Sequence, residues 1–448
     1  MRVVCNAGYK TAGFWTIRMA CWLCSGVAQQ TAGRSQDTSI IEAVPAQLSL
    51  AQAQQIAARR NWDLLAAAAG VDLAIAQKVV AREFPNPTLA LSTAKIDVDS
   101  HPGSTPAGNG LWERSYDTII ALNQLFEIGG KRANRRASAE AGYETARAQF
   151  LDARRILELA VTKAYIAATQ ADENVRVLTE SAATLRQEVG LADIRLRAGE
   201  ISSADKSQIE ITADRFELDA RAARSAAAQA RVALGVLMGT PRATGDIVLS
   251  DDLDVLCAAT NLPDLNRFPE RRPDIVAADA ALRKAEADVR LQRSNRIPDP
   301  TVFAQYEHEP PDQPNTIGLG VSLPLPLWNR NRGNIAAAEA SRQQARVAFD
   351  KIRGQAAGEV ATAQLAYEDA SQRWRQYREV IRPKSETIRK TISYAFEKGG
   401  SSLLDLLISE RNDNEIRLAA AQAASDLATA LATLRVATKE ISNLQESK

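Results

Sequence analysis

The chain has 448 residues and a formal net charge of +1. That balance gives no sign of a nucleic-acid or polyanion partner. Aromatic residues make up only 5% of the sequence, and alanine supplies much of the apolar content, which suits long, closely packed helices better than one thick core.

Taken in chain order, the amino terminus reads as a targeting segment. Arg2, Lys10 and Arg18 precede a short apolar run from Met19 to Ala28, and Gly26-Val27-Ala28 forms a small-x-small cleavage site before Gln29. Residues 1–28 are therefore expected to be an export signal and 29–47 an N-terminal extension. Cys5, Cys21 and Cys24 would leave with the signal, and Cys257 alone supports neither an intramolecular disulfide nor a Cys-based metal site. No run of about 18 apolar residues occurs elsewhere, so a transmembrane helix is not expected. An exported chain of this kind is soluble, lipid-anchored or inserted through β-strands.

The rest of the chain is a tandem repeat. Phe84-Pro85-Asn86-Pro87-Thr88-Leu89 returns as Ile297-Pro298-Asp299-Pro300-Thr301-Val302, 213 positions on. Ala137–Ala141 returns at Ala336–Ala340 and Leu196–Gly199 at Phe396–Gly399, 199 and 200 positions on. Three blocks in the same order define a first copy over 48–245, a connecting segment over 246–268 and a second copy over 269–448. Each copy reads as helix, two strands, long helix, turn, helix, giving a mixed but mainly α fold.

The first copy's strands are expected at about 86–98 and 113–127, the second's at about 300–309 and 315–327. Ile317, Leu319, Val321, Leu323, Leu325 and Leu327 alternate strictly with small or polar residues, one apolar face and one polar face. Tyr116, Ile120 and Leu122 give a weaker version. The links His101–Gly110 and Pro310–Pro314 are rich in Pro, Gly and Asp, as surface loops are. Four strands cannot close a membrane barrel, which begins at about eight. Chains in lipid must therefore share one barrel; the alternative is a pair of hairpins in a soluble domain.

Long helices follow, over about 131–197 and 331–398, the first roughly 100 Å long at ~1.5 Å per residue. An apolar seam runs Ala153, Leu157, Ala160, Ala164, Ala167, Ala171, then after one slip Val175, Leu178, Ala182, Leu185, Val189, Ala192, Leu196. In the second helix Pro383 is an expected kink. Gly199 and Gly399-Gly400 end the long helices. Ser202-Ser203 and Ser401-Ser402 then cap return helices over about 202–238 and 402–445. An aspartate stands six residues after each first glycine, Asp205 and Asp405. Either aspartate favours its own helix dipole or contributes to a ring of carboxylates at a neck between copies.

This arrangement resembles the TolC outer-membrane efflux family over about residues 45–445. Leu323-Pro324-Leu325-Pro326-Leu327-Trp328-Asn329-Arg330-Asn331-Arg332-Gly333-Asn334-Ile335 resembles a segment of its cobalt–zinc–cadmium branch, the CzcC-like proteins, and Phe126-Glu127-Ile128-Gly129-Gly130-Lys131-Arg132 is similar to the first-copy counterpart. The resemblance implies a homotrimer whose strands form one 12-stranded barrel in outer-membrane lipid, continuous with a periplasmic α-helical barrel. It implies that the turns at Gly199, Gly399, Gly400, Ser401 and Ser402 meet a periplasmic adaptor, and that an inner-membrane pump of the RND class supplies the energy. It also implies that Asp405 lines the closed entrance and favours cations; Asp205, at the same place in the first copy, is a second candidate for the entrance. Ile408 stands where many members carry a second acid, and Ser401 where some carry a basic residue. Some relatives carry a lipid on an N-terminal Cys, but the residues before Cys21 and Cys24 fit a lipobox poorly, favouring plain cleavage near Gln29.

No catalytic set, cofactor loop or nucleic-acid patch is legible. Glu307-His308-Glu309 reads as a solvated loop more than a metal site, and Cys257 as a small packed residue. Arg271-Arg272-Pro273-Asp274 opens a helix with Pro at its first position. The expected activity is passive conduction of divalent metal cations. A duct for organic molecules and a soluble coiled-coil protein are the alternatives.

Overall fold

The first two helix starts are marked by side chains that satisfy free backbone N–H groups. Ser49 caps α1 (Leu50–Arg60) in a box with Gln52, and Asn61 caps α2 (Trp62–Val80) by accepting from Leu64 N–H. The computed structural model describes residues 45, 47–94, 117–241, 245–258, 269–309 and 313–441. The export signal, nearly all of the N-terminal extension, the link His101–Gly110 and most of the second link lie outside the described residues. So do the outer ends expected for the first strand pair, including Tyr116.

A short parallel pair, β1 (Gln47–Leu48) with β4 (Val248–Leu249), ties the start of the first copy to the segment that follows it. The Tyr165 hydroxyl donates to Leu48 C=O at 2.8 Å and accepts from Asp251 N–H at 3.2 Å, anchoring both segments to the first long helix. The strands β2 (Thr88–Thr93), β3 (Thr118–Leu125), β5 (Thr301–Glu309) and β6 (Gln313–Ser322) form one antiparallel sheet in the order β2-β3-β5-β6. The two hairpins thus join through β3 and β5, from Thr118 opposite His308 to Leu125 opposite Thr301. Cross-strand partners share a face. Leu91, Ile120, Tyr306 and Ile317 lie in one such row, and Leu89, Leu122, Ala304 and Leu319 in the next. Ile317 and Leu319 are 82% and 80% exposed, so no described element covers that apolar face. The other face is mainly small or polar, with exceptions such as Ile119 and Phe303, whose ring lies over Gly320.

β6 stops at Ser322, five residues before the end of the apolar alternation. Pro324 and Pro326 have no N–H to give to a ladder, so Leu323, Leu325 and Leu327 leave the strand still exposed, with Trp328 beside them 93% exposed.

The helical part is built from α3 (Lys131–Arg197), α4 (Ser203–Leu237), α5 (Leu253–Cys257), α6 (Pro273–Ser294), α7 (Arg332–Gln376), α8 (Arg382–Glu397) and α9 (Leu403–Ala437). α3 is unbroken for 67 residues. Its counterpart divides into α7 and α8 at a π-helical turn, Tyr377–Ile381, immediately before Arg382 and Pro383. Arg382 N–H donates to Tyr377 C=O five residues back, and Pro383 donates nothing, which is where a kink was expected. α6 opens at Pro273 with Arg272 as its cap.

The predicted seam of α3 is half right. Toward Arg197, Leu178, Ala182, Leu185 and Ala192 are buried as expected. Toward the strands the buried positions fall one step on, at Val161, Tyr165 and Ala168, while Ala164 is half-buried and Ala167 exposed. There α3 is packed by α1, α2, α6 and α9 in addition to its hairpin partner α4. Neighbours from several directions choose the buried face, and a two-helix heptad reading has no access to them.

Candidate functional site

Both long hairpins turn by the same device. α3 ends with Gly199 at φ +79° and Glu200 N–H donating to Arg195 C=O at 2.9 Å. α8 ends with Gly399 at φ +75° and Gly400 N–H donating to Ala395 C=O at 2.7 Å. This left-handed termination needs glycine because a side chain is strained there. The next helix starts on Ser202 or Ser402, which accepts from the N–H of Asp205 at 3.1 Å or Asp405 at 3.2 Å.

Each aspartate reciprocates. Asp205 Oδ2 accepts from Ser202 N–H at 3.1 Å and its hydroxyl at 2.8 Å. Asp405 Oδ2 accepts from Ser402 N–H at 3.2 Å, from its hydroxyl at 2.6 Å and from the Ser401 hydroxyl at 3.4 Å. These are complete capping boxes. The serine hydroxyl, then its backbone N–H, holds each carboxyl below the usual aspartate range, so both stay ionised at neutral pH. Asp405 is exposed and Asp205 half-buried. Leu404 and Ile408, one turn apart on α9, are also exposed, at 66% and 48%, so beside Asp405 this helix presents apolar side chains to solvent.

A cation ties one tip to the other. Arg195, in the last turn of α3, donates to Phe396 C=O at 2.9 Å and Glu397 C=O at 3.0 Å, the end of α8, and stacks 4.6 Å from the Phe396 ring centroid. A positive charge at a helix C-terminus completes otherwise unused carbonyls.

Farther up the same seam the structure gathers acids that the sequence reading passed over. Glu188 of α3, with Glu410 and Asp413 of α9, is buried together with Ser181 and Asn414. The signal was present: Leu406, Ser409, Glu410, Asp413, Asn414 and Ala421 follow one helical stripe, which puts two acids on a core face. At the far end of the sheet, Asp117, Glu307 and Glu309 bring carboxylate oxygens within 4.8 Å of one another. Glu307, His308 and Glu309 lie at the end of β5, not in the solvated loop expected of them; the strand register sends His308 to the opposite face from the two glutamates, and these acids have other contacts of their own. Cys257 is buried, its thiol 3.0 Å from Ala424 C=O.

Two long helical hairpins are carried on a sheet that, among the described residues, has an exposed apolar face and open edges, the architecture of a membrane-channel subunit. The model described as "Outer membrane efflux protein" matches residues 44–240 and 265–438, and the chain belongs to that family. It is 27% identical over 394 residues to the cobalt-zinc-cadmium resistance protein CzcC of Cupriavidus metallidurans, covering 88% of this chain and 90% of that one. It is 23% identical over 440 residues to the pyoverdine export outer membrane protein OpmQ of Pseudomonas putida, covering 90% and 91%. The solved structure of CusC matches with a TM-score of 0.73 at 18% identity, over 87% of this chain and 92% of that chain. The protein is an outer-membrane efflux channel component of the Gram-negative envelope, reaching into the periplasm, and not an enzyme. Among the described residues no helix is long and apolar enough to cross a membrane.

Proposed function

We propose that this chain is the outer-membrane duct of a tripartite system that exports divalent heavy-metal cations, conducting them passively from a pump and adaptor to the exterior. The observation that carries the metal reading is its likeness to a cobalt-zinc-cadmium resistance protein across nearly the whole length of both chains.

Three copies would close the sheet. β2 and β6 each have an unpaired edge, and edges in a membrane must pair; twelve strands from three chains satisfy that. The two copies of the repeat, 48–245 and 269–448, would then each supply one helical hairpin to the periplasmic barrel. Their turns at Gly199 and at Gly399, Gly400, Ser401 and Ser402 would meet the adaptor, with an RND-class pump beneath. Asp405 and, more weakly, Asp205 would line the entrance. Ionised and solvent-facing, a ring of three Asp405 carboxylates attracts cations and repels anions.

A second reading, a duct for organic molecules, is favoured by the similar identity to a pyoverdine exporter. Deleting the gene and scoring growth on zinc, cobalt, cadmium, nickel and copper beside a panel of drugs decides between them. Selective loss of metal tolerance supports metal export; loss of drug tolerance with normal metal tolerance moves the duct to organic cargo.

A further inference from the structure

The seam between the two helical hairpins holds more negative charge than its cations can neutralise. Glu188, Glu410 and Asp413 are 7%, 6% and 4% exposed. On α8, the Ser385 hydroxyl donates to Asp413 Oδ1 at 2.8 Å, and Arg389 lies 3.2 Å from Asp413 and 3.3 Å from Glu410. On α9, Arg417 acts on Glu410 from a distance while pairing with Glu180 at 2.5 Å. The charge of Glu410, on the helix packed across the seam, acts on Glu188, with Glu397 adding a second like charge and Arg195 an opposite one. Arg195 is committed to the carbonyls of Phe396 and Glu397. Glu188 Oε2 is buried and accepts no hydrogen bond.

An ionised carboxylate in that position is far costlier than a neutral acid. Burial pushes both Glu188 and Glu410 above the usual glutamate range; Glu410 adds to the effect on Glu188, and Arg389 pulls Glu410 partly back. We propose that this seam is a proton-binding latch: protonated Glu188 and Glu410 allow α3 to close on α8 and α9, and loss of their protons to water drives the hairpins apart. The latch rests on the reading that the hairpin tips form the closed entrance.

The sign follows from linkage. Groups whose affinity for protons is raised in the closed state cost nothing below the ordinary glutamate range, where both states are protonated. Closure weakens as pH rises from there through the raised values, and the cost is then constant. Asp205 and Asp405 are shifted the other way and stay ionised through that window.

The test is single-channel recording of the assembled full chain in planar bilayers from about pH 5 to about pH 8, within the range documented for buried glutamates. Wild-type open probability should climb with pH, by up to about tenfold per unit for each titrating group. Glu188→Gln/Glu410→Gln, which mimics the protonated pair, should hold the acid-side value throughout, with heat resistance of the assembly retained. Should the double variant not assemble, Glu188→Gln alone should lower the slope. A double variant, or a Glu188→Gln protein tested in its place, that keeps the wild-type pH profile overturns the latch, as does a wild-type channel that is flat or closes with rising pH. An assembled wild type that forms no channel overturns the entrance reading on which the latch rests.

Discussion

A carboxylate at the third position of a helix can act on the helix or on what lies outside it. Asp405 does the first: Ser401 and Ser402 all direct their hydrogen bonds to Oδ2. Asp205 makes the same box with Ser202, so the helix-starting role is common to both and cannot by itself distinguish them. Exposure does, since Asp405 faces solvent and Asp205 is half-buried. Asp405→Asn keeps an acceptor at the cap, at a cost of under about 1 kcal/mol, but removes the charge. It should lower the cation-over-anion permeability ratio by at least about twofold, and Asp205→Asn should do so less. A ratio unchanged in Asp405→Asn, read from reversal potentials in a salt gradient, would leave Asp405 a capping residue alone. The position of both aspartates was legible because cap and turn chemistry is local. Glu188 was not, because its burial depends on α9, more than two hundred positions away.

Small residues set how closely the helices approach. On α7 the buried side chains are Ala356, Ala363 and Ala370, one every seven residues, which keeps a single narrow stripe against α9. Ala363 packs with Leu434 and Ala437 and is bordered by Val360 and Tyr367. Ala363→Leu inserts three carbons where α7 meets α9, and should destabilise the hairpin by about 1–3 kcal/mol. The check is a lower midpoint for heat dissociation of the purified assembly, with Val347→Leu, at an exposed position of the same helix, as the neutral comparison. The π turn is the other feature of this scale. Pro383 announced an interruption in the sequence, but the extra residue in Tyr377–Ile381 is a property of the hydrogen-bond ladder and appears only in the structure.

The whole molecule is incomplete as a single chain. Among the described residues its sheet has two open edges and an apolar face that none of them covers. If that face meets lipid, charge is tolerated unequally on the two sides of one strand. Leu319→Arg, on the uncovered face, should cost roughly 2–4 kcal/mol and reduce the yield of heat-resistant oligomer in outer-membrane fractions. Thr316→Arg, on the opposite face of the same strand, should leave the yield near wild type. Equal losses in the two variants would count against a lipid-facing surface.

The sequence by itself determined what rests on neighbours along the chain. The tandem repeat, the mainly helical class, the glycine turns with their serine–aspartate boxes and the alternation of β6 all arise from interactions spanning a few residues. Those interactions are the same in any surroundings, and the membership of an outer-membrane efflux family could be read from them. Tertiary structure decided what rests on contacts between distant segments. It moved the buried face of α3 by one position where several helices crowd it. It also joined β3 to β5 and brought Glu188 within reach of the charge of Glu410. A helical period says which residues share a face, but which face is buried, and beside which charges, is settled by the neighbours that pack upon it.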